Sequence, residues 1–547
     1  MKVSDFFQRQ ISDKNAVRLE YFLIVITAVL PLFFNYPYRI NLFLAWEGAY
    51  RMSIGQIPYQ DFGSPVGYGF WLLPALFFKL FGPYVYTLLI VQAFINILSG
   101  ILFKSFLKLF NVTASARVLP LLVFVLSYSM FNFWPWYNHF VFVVELGGLY
   151  LLCSQILKPS DSRSLLVVIF SGVVTAFAFM TKQDTGGLAF FISLAILAFD
   201  FIYERRFKTA IIFIGGYVLS LTLFIVPFLF YDFSYWFNMG QFPHYARVDK
   251  FDLINEFLGA SEFIKFYLVL ILFLFVIKFN QGINWKENKT YILFTFISLL
   301  ILGQASIIQV TSYTPIDGNI YFHSFAIAFL VFHFTDQVNY SKLVTLSALS
   351  LLICLWWSGV FWSRFLKEKV QKVLVDNSGS KKNVISKRTY LMGSDSTATF
   401  KTSSRSKWIV SKVPSFKRIK IPQGTEDGIH QIMAMPEAAT QNLKVLNMSE
   451  LTSLAFDMGY DLETGPKYPL WFHKGVAFFD REVSDFCGRV SRKEYDIILF
   501  EDIPNVNQFY SYEVRDCIKS NYTFKFKFLA PRVPEISYIE VYTKTVK

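Results

Sequence analysis

Long apolar runs recur over the first 361 residues, separated by short polar stretches. Eleven of them approach or reach the 17–25 residues that cross a hydrocarbon core: Tyr21–Tyr36, Val85–Phe103, Val118–Phe133, Phe140–Leu157, Leu165–Met180, Leu188–Ile202, Ala210–Phe230, Phe263–Ile277, Tyr291–Ile308, Ile320–Phe334 and Leu343–Phe361. A twelfth run, Val66–Phe81, contains Pro74 and ends on Gly82-Pro83. Whether it spans sets the orientation of everything after it. If it lies on the membrane and the N-terminus is cytoplasmic, the inner segments carry 16 Lys/Arg and the outer loops before residue 364 carry 7. Letting it span reverses every later loop and destroys that positive-inside bias. The expectation is therefore eleven spans, one interfacial helix, an uncleaved first span, a cytoplasmic N-terminus and an extracytoplasmic C-terminus.

After Arg364 the pattern changes. Lys367–Lys420 holds 14 Lys/Arg against three acids and lacks long apolar runs, so residues 365–420 read as a basic linker or as a collar for anionic headgroups. Beyond it, Leu443–Leu446, Val476–Phe479, Asp496–Phe500 and Tyr538–Tyr542 read as strands, and Ser449–Met458 as a helix with a Ser cap. Residues 421–547 are expected to form a small α/β domain outside the membrane. The fold class is thus an α-helical polytopic membrane protein with a C-terminal α/β extracytoplasmic domain, in which residues 1–19 are the cytoplasmic N-terminus and 20–364 the transmembrane domain.

Composition agrees. Of 547 residues, 54% are hydrophobic, 19% aromatic and 17% charged, which excludes a disordered chain, a collagen-like fibre, a disulfide-stapled scaffold and one continuous soluble core. The net charge of +13 resolves into +11 from Lys367–Lys420, −4 from Ile421–Lys547 and a remainder that is mainly the inner-loop bias. Because the basic excess lies at the membrane, nucleic acid is not expected as a partner. Cys153 and Cys354 fall in spans. Cys487 and Cys517 fall in the outer domain, where a disulfide is permitted and the spacing decides nothing.

The first outer loop, 37–84, carries the chemical signal. It runs through Arg39, Ala45-Trp-Glu47-Gly-Ala-Tyr50-Arg51, then Gly55-Gln-Ile-Pro58-Tyr59-Gln-Asp61-Phe62-Gly63, and closes on Lys79-Leu-Phe-Gly82. Glu47 and Arg51 share a helix face, so an ordinary i,i+4 ion pair is one reading. Asp61 can instead organise its own turn through backbone hydrogen bonds. Within the spans, Glu145 is a costly ionisable group, about 2.5–3.5 kcal/mol on insertion scales, and a candidate by default. His139 precedes it, and His323 sits near the outer end of the tenth span. No phosphate-binding Gly-rich loop and no Asp-x-Asp triplet occurs.

The loop as a whole, with an acid soon after the first span, the Gly-x-x-Pro-Tyr-x-Asp-Phe turn and an apolar helix ending Lys-Leu-Phe-Gly, resembles the first outer loop of GT-C-type glycosyltransferases. These are the polyprenyl-phosphate-sugar-dependent enzymes related to protein O-mannosyltransferases and lipid A aminoarabinose transferases. Thr181-Lys182-Gln183-Asp184 is similar to a Lys-Gln stretch found there. In that family a loop carboxylate is the base. The resemblance implies Glu47 for this role, with Asp61 second, since Trp46 stands where many relatives have another acid. It implies Lys182, Gln183, Arg39 and Arg51 at the donor phosphate, and Tyr50, Tyr59, His139, Glu145, Asp184 and His323 as further substrate-binding candidates. The activity implied is inverting transfer of a sugar from a polyprenyl-phosphate donor to a lipid, polysaccharide or protein acceptor, at the outer face of a bacterial-type plasma membrane. The resemblance names no certain cofactor beyond the polyprenyl-phosphate-sugar donor, and a divalent metal stays open. The alternatives are an envelope polysaccharide polymerase or ligase, for which the loop Tyr231–Glu262 with His244 and Arg247 would carry the function, a lipid-linked sugar flippase, which would place its polar groups along a path through the helices, and a structural or sensory membrane protein.

Overall fold

The computed structural model describes residues 8–158, 164–231, 235–236, 254, 257–258, 262–282, 284–311, 321–361, 408–465, 468–472, 478–503, 510–532 and 536–544. Thirteen helices occupy the first part: α1 (Asp13–Val29), α2 (Leu42–Ser53), α3 (Gly69–Phe81), α4 (Val85–Leu109), α5 (Ala114–Ser127), α6 (Tyr137–Leu157), α7 (Ser164–Thr181), α8 (Gln183–Glu204), α9 (Phe207–Ile225), α10 (Glu262–Asn280), α11 (Lys289–Thr311), α12 (Phe322–His333) and α13 (Leu343–Phe361). The C-terminal part adds α14 (Gln423–Met433), α15 (Leu454–Met458), α16 (Phe479–Ser491) and α17 (Tyr512–Asn521). The strands are β1 (Tyr36–Pro37), β2 (Ile409–Val410), β3 (Ile419–Ile421), β4 (Val445–Met448), β5 (Ile497–Asp502), β6 (Tyr522–Leu529) and β7 (Tyr538–Lys544).

Among the described residues, eight helices are long and apolar enough to cross a membrane, and Gly69–Phe81, Leu165–Thr181, Phe322–His333 and Leu343–Gly359 are shorter apolar ones. The eight fall on eight of the eleven expected spans, and the last three of the shorter helices fall on the other three. Their outward faces are apolar: α9 exposes Ile211, Val218, Leu219 and Leu223, and α10 exposes Phe266, Val269, Phe273 and Val276. Such rows have no place in water and suit hydrocarbon. The chain is a multi-pass membrane protein with a small C-terminal α/β domain. Helix α3 has 13 residues, about 20 Å at 1.5 Å per residue, and falls on the twelfth apolar run, Val66–Phe81. Leu72, Leu76 and Leu80 form its exposed row, while Phe70, Trp71, Ala75 and Phe78 are buried. That two-sided burial suits a helix lying in an interface.

The chain divides into two compact units: Met1–Pro31, Gln92–Ile225 and Val248–Ser378 in the first, and Leu32–Val91, Val226–Arg247 and Gly379–Lys547 in the second. In the first, α6, α7 and α9 pack in sequence. Gly172 on α7 and Gly216 on α9 lie where their backbones meet: a Cβ on Gly172 would fall 2.7 Å from the Phe213 carbonyl oxygen. Lys104 and Arg117, counted among the inner cations, close instead on buried Glu20, at 3.5 and 2.7 Å. Helix α4 runs on to Leu109, beyond the expected end at Phe103, because this pair lets Lys104 stay within it.

In the second unit, β1, β3 and β2 make a three-stranded sheet in the order β1-β3-β2, with β1 parallel to β3 through Tyr36–Ile419 and Pro37–Lys420. The first outer loop therefore belongs with the C-terminal chain, not with the helices that flank it in sequence. A second sheet has the order β4-β5-β7-β6, with β4 and β5 parallel and β6-β7 an antiparallel pair. Strands β2 and β3 begin upstream of residue 421, at Ile409 and Ile419. The expected strand at Leu443–Leu446 lies two residues later, at β4. Ser449 caps no helix: its hydroxyl donates to Asn447 Oδ1 and accepts the Leu451 N–H, a local turn, and α15 starts at Leu454. Phe479 opens α16 rather than closing a strand, since Phe479, Val483, Phe486 and Val490 bury one helical face. Cys487 on α16 and Cys517 on α17 are disulfide-bonded, with Cα atoms 5.5 Å apart. Residues 367–407 of the basic segment, His244, Arg247 and Val476 lie outside the described residues.

Candidate functional site

Helix α2 carries Glu47 and Arg51, and its placement follows from its partners. Gly48 faces α3 so closely that a Cβ there would lie 2.2 Å from the Trp71 indole, so only glycine admits this approach. Trp71 Nε1 donates to the Leu44 carbonyl at 2.8 Å and Trp46 Nε1 to the Pro83 carbonyl at 2.8 Å. After α2 the chain reverses at Gly55, whose φ of +95° is open to glycine and strained for other residues.

Glu47 is 3% exposed and Arg51 0%. Arg51 Nε and Nη2 both donate to Glu47 Oε1, at 2.9 and 2.7 Å. Arg51 Nη1 donates to Gln56 Oε1 at 2.9 Å and to the Glu463 carbonyl at 2.6 Å. The guanidinium also lies over the rings of Phe62 and Tyr468, 5.3 and 4.9 Å from their centroids. Arg51 is thus engaged by Glu47, Gln56, the Glu463 carbonyl and two aromatic rings, and it holds Glu47 in place. Glu47 Oε2 carries no hydrogen bond among the described residues. Burial raises the Glu47 carboxyl above its ordinary range, and the charge and hydrogen bonds of Arg51 oppose that rise. The hydroxyls of Tyr460, Tyr468 and Tyr510 all lie within reach of the Glu47 charge; burial first, and Glu47 in addition, keep them protonated. A buried carboxylate with one oxygen fixed and, among the described residues, the other without a hydrogen bond can accept a proton from a hydroxyl placed beside it.

Asp61 has a different task. Its Oδ2 accepts the Ile57 N–H at 2.7 Å, its own N–H donates to the Ile57 carbonyl at 2.9 Å, and its carbonyl accepts the Gly465 N–H at 2.8 Å. It organises the turn and ties it to the 465–470 stretch, where Gly63 also exchanges backbone bonds with Tyr468 and Leu470. Tyr59 is 0% exposed, with its hydroxyl 3.3 Å from the Val66 carbonyl. Tyr50 is half-buried and stacks on Trp46, with centroids 4.6 Å apart. Arg39 is exposed.

The remaining candidates lie in the first unit. Lys182 stands at the α7–α8 junction, 7% exposed, and its Nζ contacts Asp184 Oδ2 at 2.7 Å; Asp184 Oδ1 accepts the Thr185 N–H. Gln183 opens α8. Glu145 is 2% exposed, accepts from Gln304 Nε2 at 2.9 Å and has Tyr321 beside it, next to a cavity of about 10 Å³ lined by Gln304, Tyr321 and apolar side chains. His139 is buried near the start of α6. His323 Nδ1 lies 3.0 Å from the Tyr267 hydroxyl and its ring meets Trp357 edge-on, as a satisfied interface histidine does.

Sequence reading misses the contribution of the C-terminal chain: the Glu463 carbonyl, Tyr468, and a buried cluster of Glu450, Glu501 and Arg532. Glu463 itself pairs with Arg489 of α16. No local pattern links these to Arg51, because the partners are about 410 positions away. Among the described residues, no group of three or more His, Cys, Asp or Glu side chains is placed to hold a metal ion.

No protein-family description matches the chain, and no curated protein matches it. Among solved structures it is similar to the cryo-EM structure of the arabinofuranosyltransferase AftD from mycobacteria, with 12% sequence identity and a TM-score of 0.38. The match covers 98% of this chain and 40% of that one, so the chain spans about two-fifths of that protein's length.

Proposed function

We propose that this protein is an integral-membrane glycosyltransferase that moves a sugar from a polyprenyl-phosphate donor to a lipid, polysaccharide or protein acceptor at the outer face of the plasma membrane. The observation that carries this reading is Glu47, buried on an outer-loop helix with Oε1 held by Arg51 and Oε2 free. In the proposed step, Glu47 Oε2 takes the proton of an acceptor hydroxyl while its oxygen forms a bond to the anomeric carbon. The bond from that carbon to the phosphate oxygen breaks, and polyprenyl phosphate leaves with the electron pair. Attack from the face opposite the phosphate inverts the anomeric centre. The leaving group needs nearby cations more than an acid. With Arg51 committed to Glu47, Arg39 of the same unit is the cation proposed for that role.

The Cys487–Cys517 bond supports an oxidising, extracytoplasmic setting for the C-terminal domain, as does the positive-inside bias. The test is mass analysis of envelope glycans from cells lacking the gene and supplied with variants. Glu47→Gln is expected to abolish transfer while the protein still folds and inserts. Asp61→Asn is expected to keep the chemistry and lose stability. Full transfer by Glu47→Gln would remove Glu47 from the mechanism.

A further inference from the structure

Helix α2 begins at Asn41, which sits in the left-handed region at φ 66° and makes no side-chain cap bond of its own. Its cap comes from far along the chain. Both carboxylate oxygens of Glu450 lie on the Asn41 N–H, at 2.9 and 3.0 Å. The Tyr38 hydroxyl donates to the Glu450 carbonyl at 2.8 Å and lies 3.2 Å from Oε2. A carboxylate at this end of a helix meets the positive pole of its dipole.

The setting makes this more than an ordinary cap. Glu450 is 1% exposed, and its one cationic partner among the described residues is Arg532, whose Nη2 lies 3.2 Å away. Arg532 Nε is given at 2.8 Å to Glu501, which in turn accepts the Glu450 N–H at 2.9 Å. Two buried carboxylates thus share one guanidinium, a surplus of negative charge that would be costly unless further donors meet it. Those donors, the Asn41 N–H and the Tyr38 hydroxyl, come from the first outer loop. At the other end of α2, Arg51 is held by the Glu463 carbonyl. Glu47 lies between the two anchor points.

We propose that Glu450 is a positioning residue for Glu47: from the C-terminal domain it fixes the N-terminal end of α2, and so sets how Glu47 meets Arg51. This rests on the reading of Glu47 as the base. The groups facing Glu450 are Tyr38, Glu501, Arg532 and Tyr510. Burial pushes its own carboxyl up to about 7, so the cap weakens as the pH falls through neutrality.

The test uses the full chain in lipid nanodiscs and reads Glu47 directly, as the infrared carboxyl band that Glu47→Gln removes. Glu450→Gln is expected to loosen the Glu47–Arg51 contact, raise the midpoint of that band by about half a pH unit or more, and lower transfer in the complemented cells roughly tenfold. Tyr38→Phe, a milder change that keeps the ring, is expected to move the midpoint the same way by less. Asp427→Asn, exposed on α14, is expected to leave midpoint and transfer unchanged. A Glu47 midpoint unchanged or lowered in both Glu450→Gln and Tyr38→Phe overturns the proposal, even if the melting temperature drops, because a merely structural role would do only the latter. If Glu450→Gln does not fold, Tyr38→Phe alone decides. Transfer that survives Glu47→Gln would instead sink the base assignment and leave the titration result standing.

Discussion

Replacing Arg51 by Met separates a buried clamp from the surface ion pair that the i,i+4 spacing alone suggests. An exposed pair of this kind contributes about 0.3–0.5 kcal/mol. Here the two side chains are 0% and 4% exposed, so removing the guanidinium strands a desolvated carboxylate, at a cost of about 3–5 kcal/mol. Gln56 Oε1 and the Glu463 carbonyl lose their donor as well. At about 2–4 °C per kcal/mol for a unit of this size, the unfolding midpoint of the second unit should fall by roughly 6–20 °C. Tryptophan fluorescence on heating, with the protein in lipid nanodiscs, reads this locally, because Trp46 and Trp71 are 1% and 0% exposed on the α2–α3 pair. The double variant Glu47→Gln/Arg51→Met removes the stranded charge and should recover at least half of the loss. A fall below about 2 °C for the single variant would mean that the pair behaves as a surface pair, and the description of the site would be wrong.

Gly48→Val places a side chain inside the Trp71 indole; separation of α2 from α3 should follow, seen as a red-shifted tryptophan emission and loss of transfer. Glu450 and Glu482 are each pushed up to about 7, by burial first. The folded unit then holds these protons more tightly than the unfolded chain, where carboxyls titrate near 4.5, so unfolding releases them between about 4.5 and 7. The stabilisation is present at the acid end of that window and lost above about 7, and the melting midpoint should rise from pH 8 to pH 6; a fall over that interval contradicts the assignment. Removing the disulfide with Cys487→Ser/Cys517→Ser should cost about 2–4 kcal/mol, measurable as a lower midpoint that added reductant no longer changes.

Some of what the sequence reading passed over was legible. Tyr522–Leu529 alternates aromatic and polar residues and is β6, and the spacing of Phe479, Val483, Phe486 and Val490 is that of a helix. The Glu450–Arg532–Glu501 cluster was not legible, because the first outer loop and the C-terminal domain meet across about 410 residues and no local periodicity records such a contact. The same distance hid the fate of Arg51: the spacing to Glu47 was plain, but its bond to the Glu463 carbonyl was not.

What the sequence determined by itself was the solvent of each segment. Apolar length is a local quantity, and it yields the apolar helices of a multi-pass membrane protein. What only the tertiary structure decided was the standing of the two loop acids. Glu47 and Asp61 look alike as outer-loop carboxylates, yet one is buried against a guanidinium with an oxygen to spare and the other is spent on its own turn. That difference is set by desolvation and by partners brought in from the far end of the chain, and neither is written within a few residues of the acids themselves.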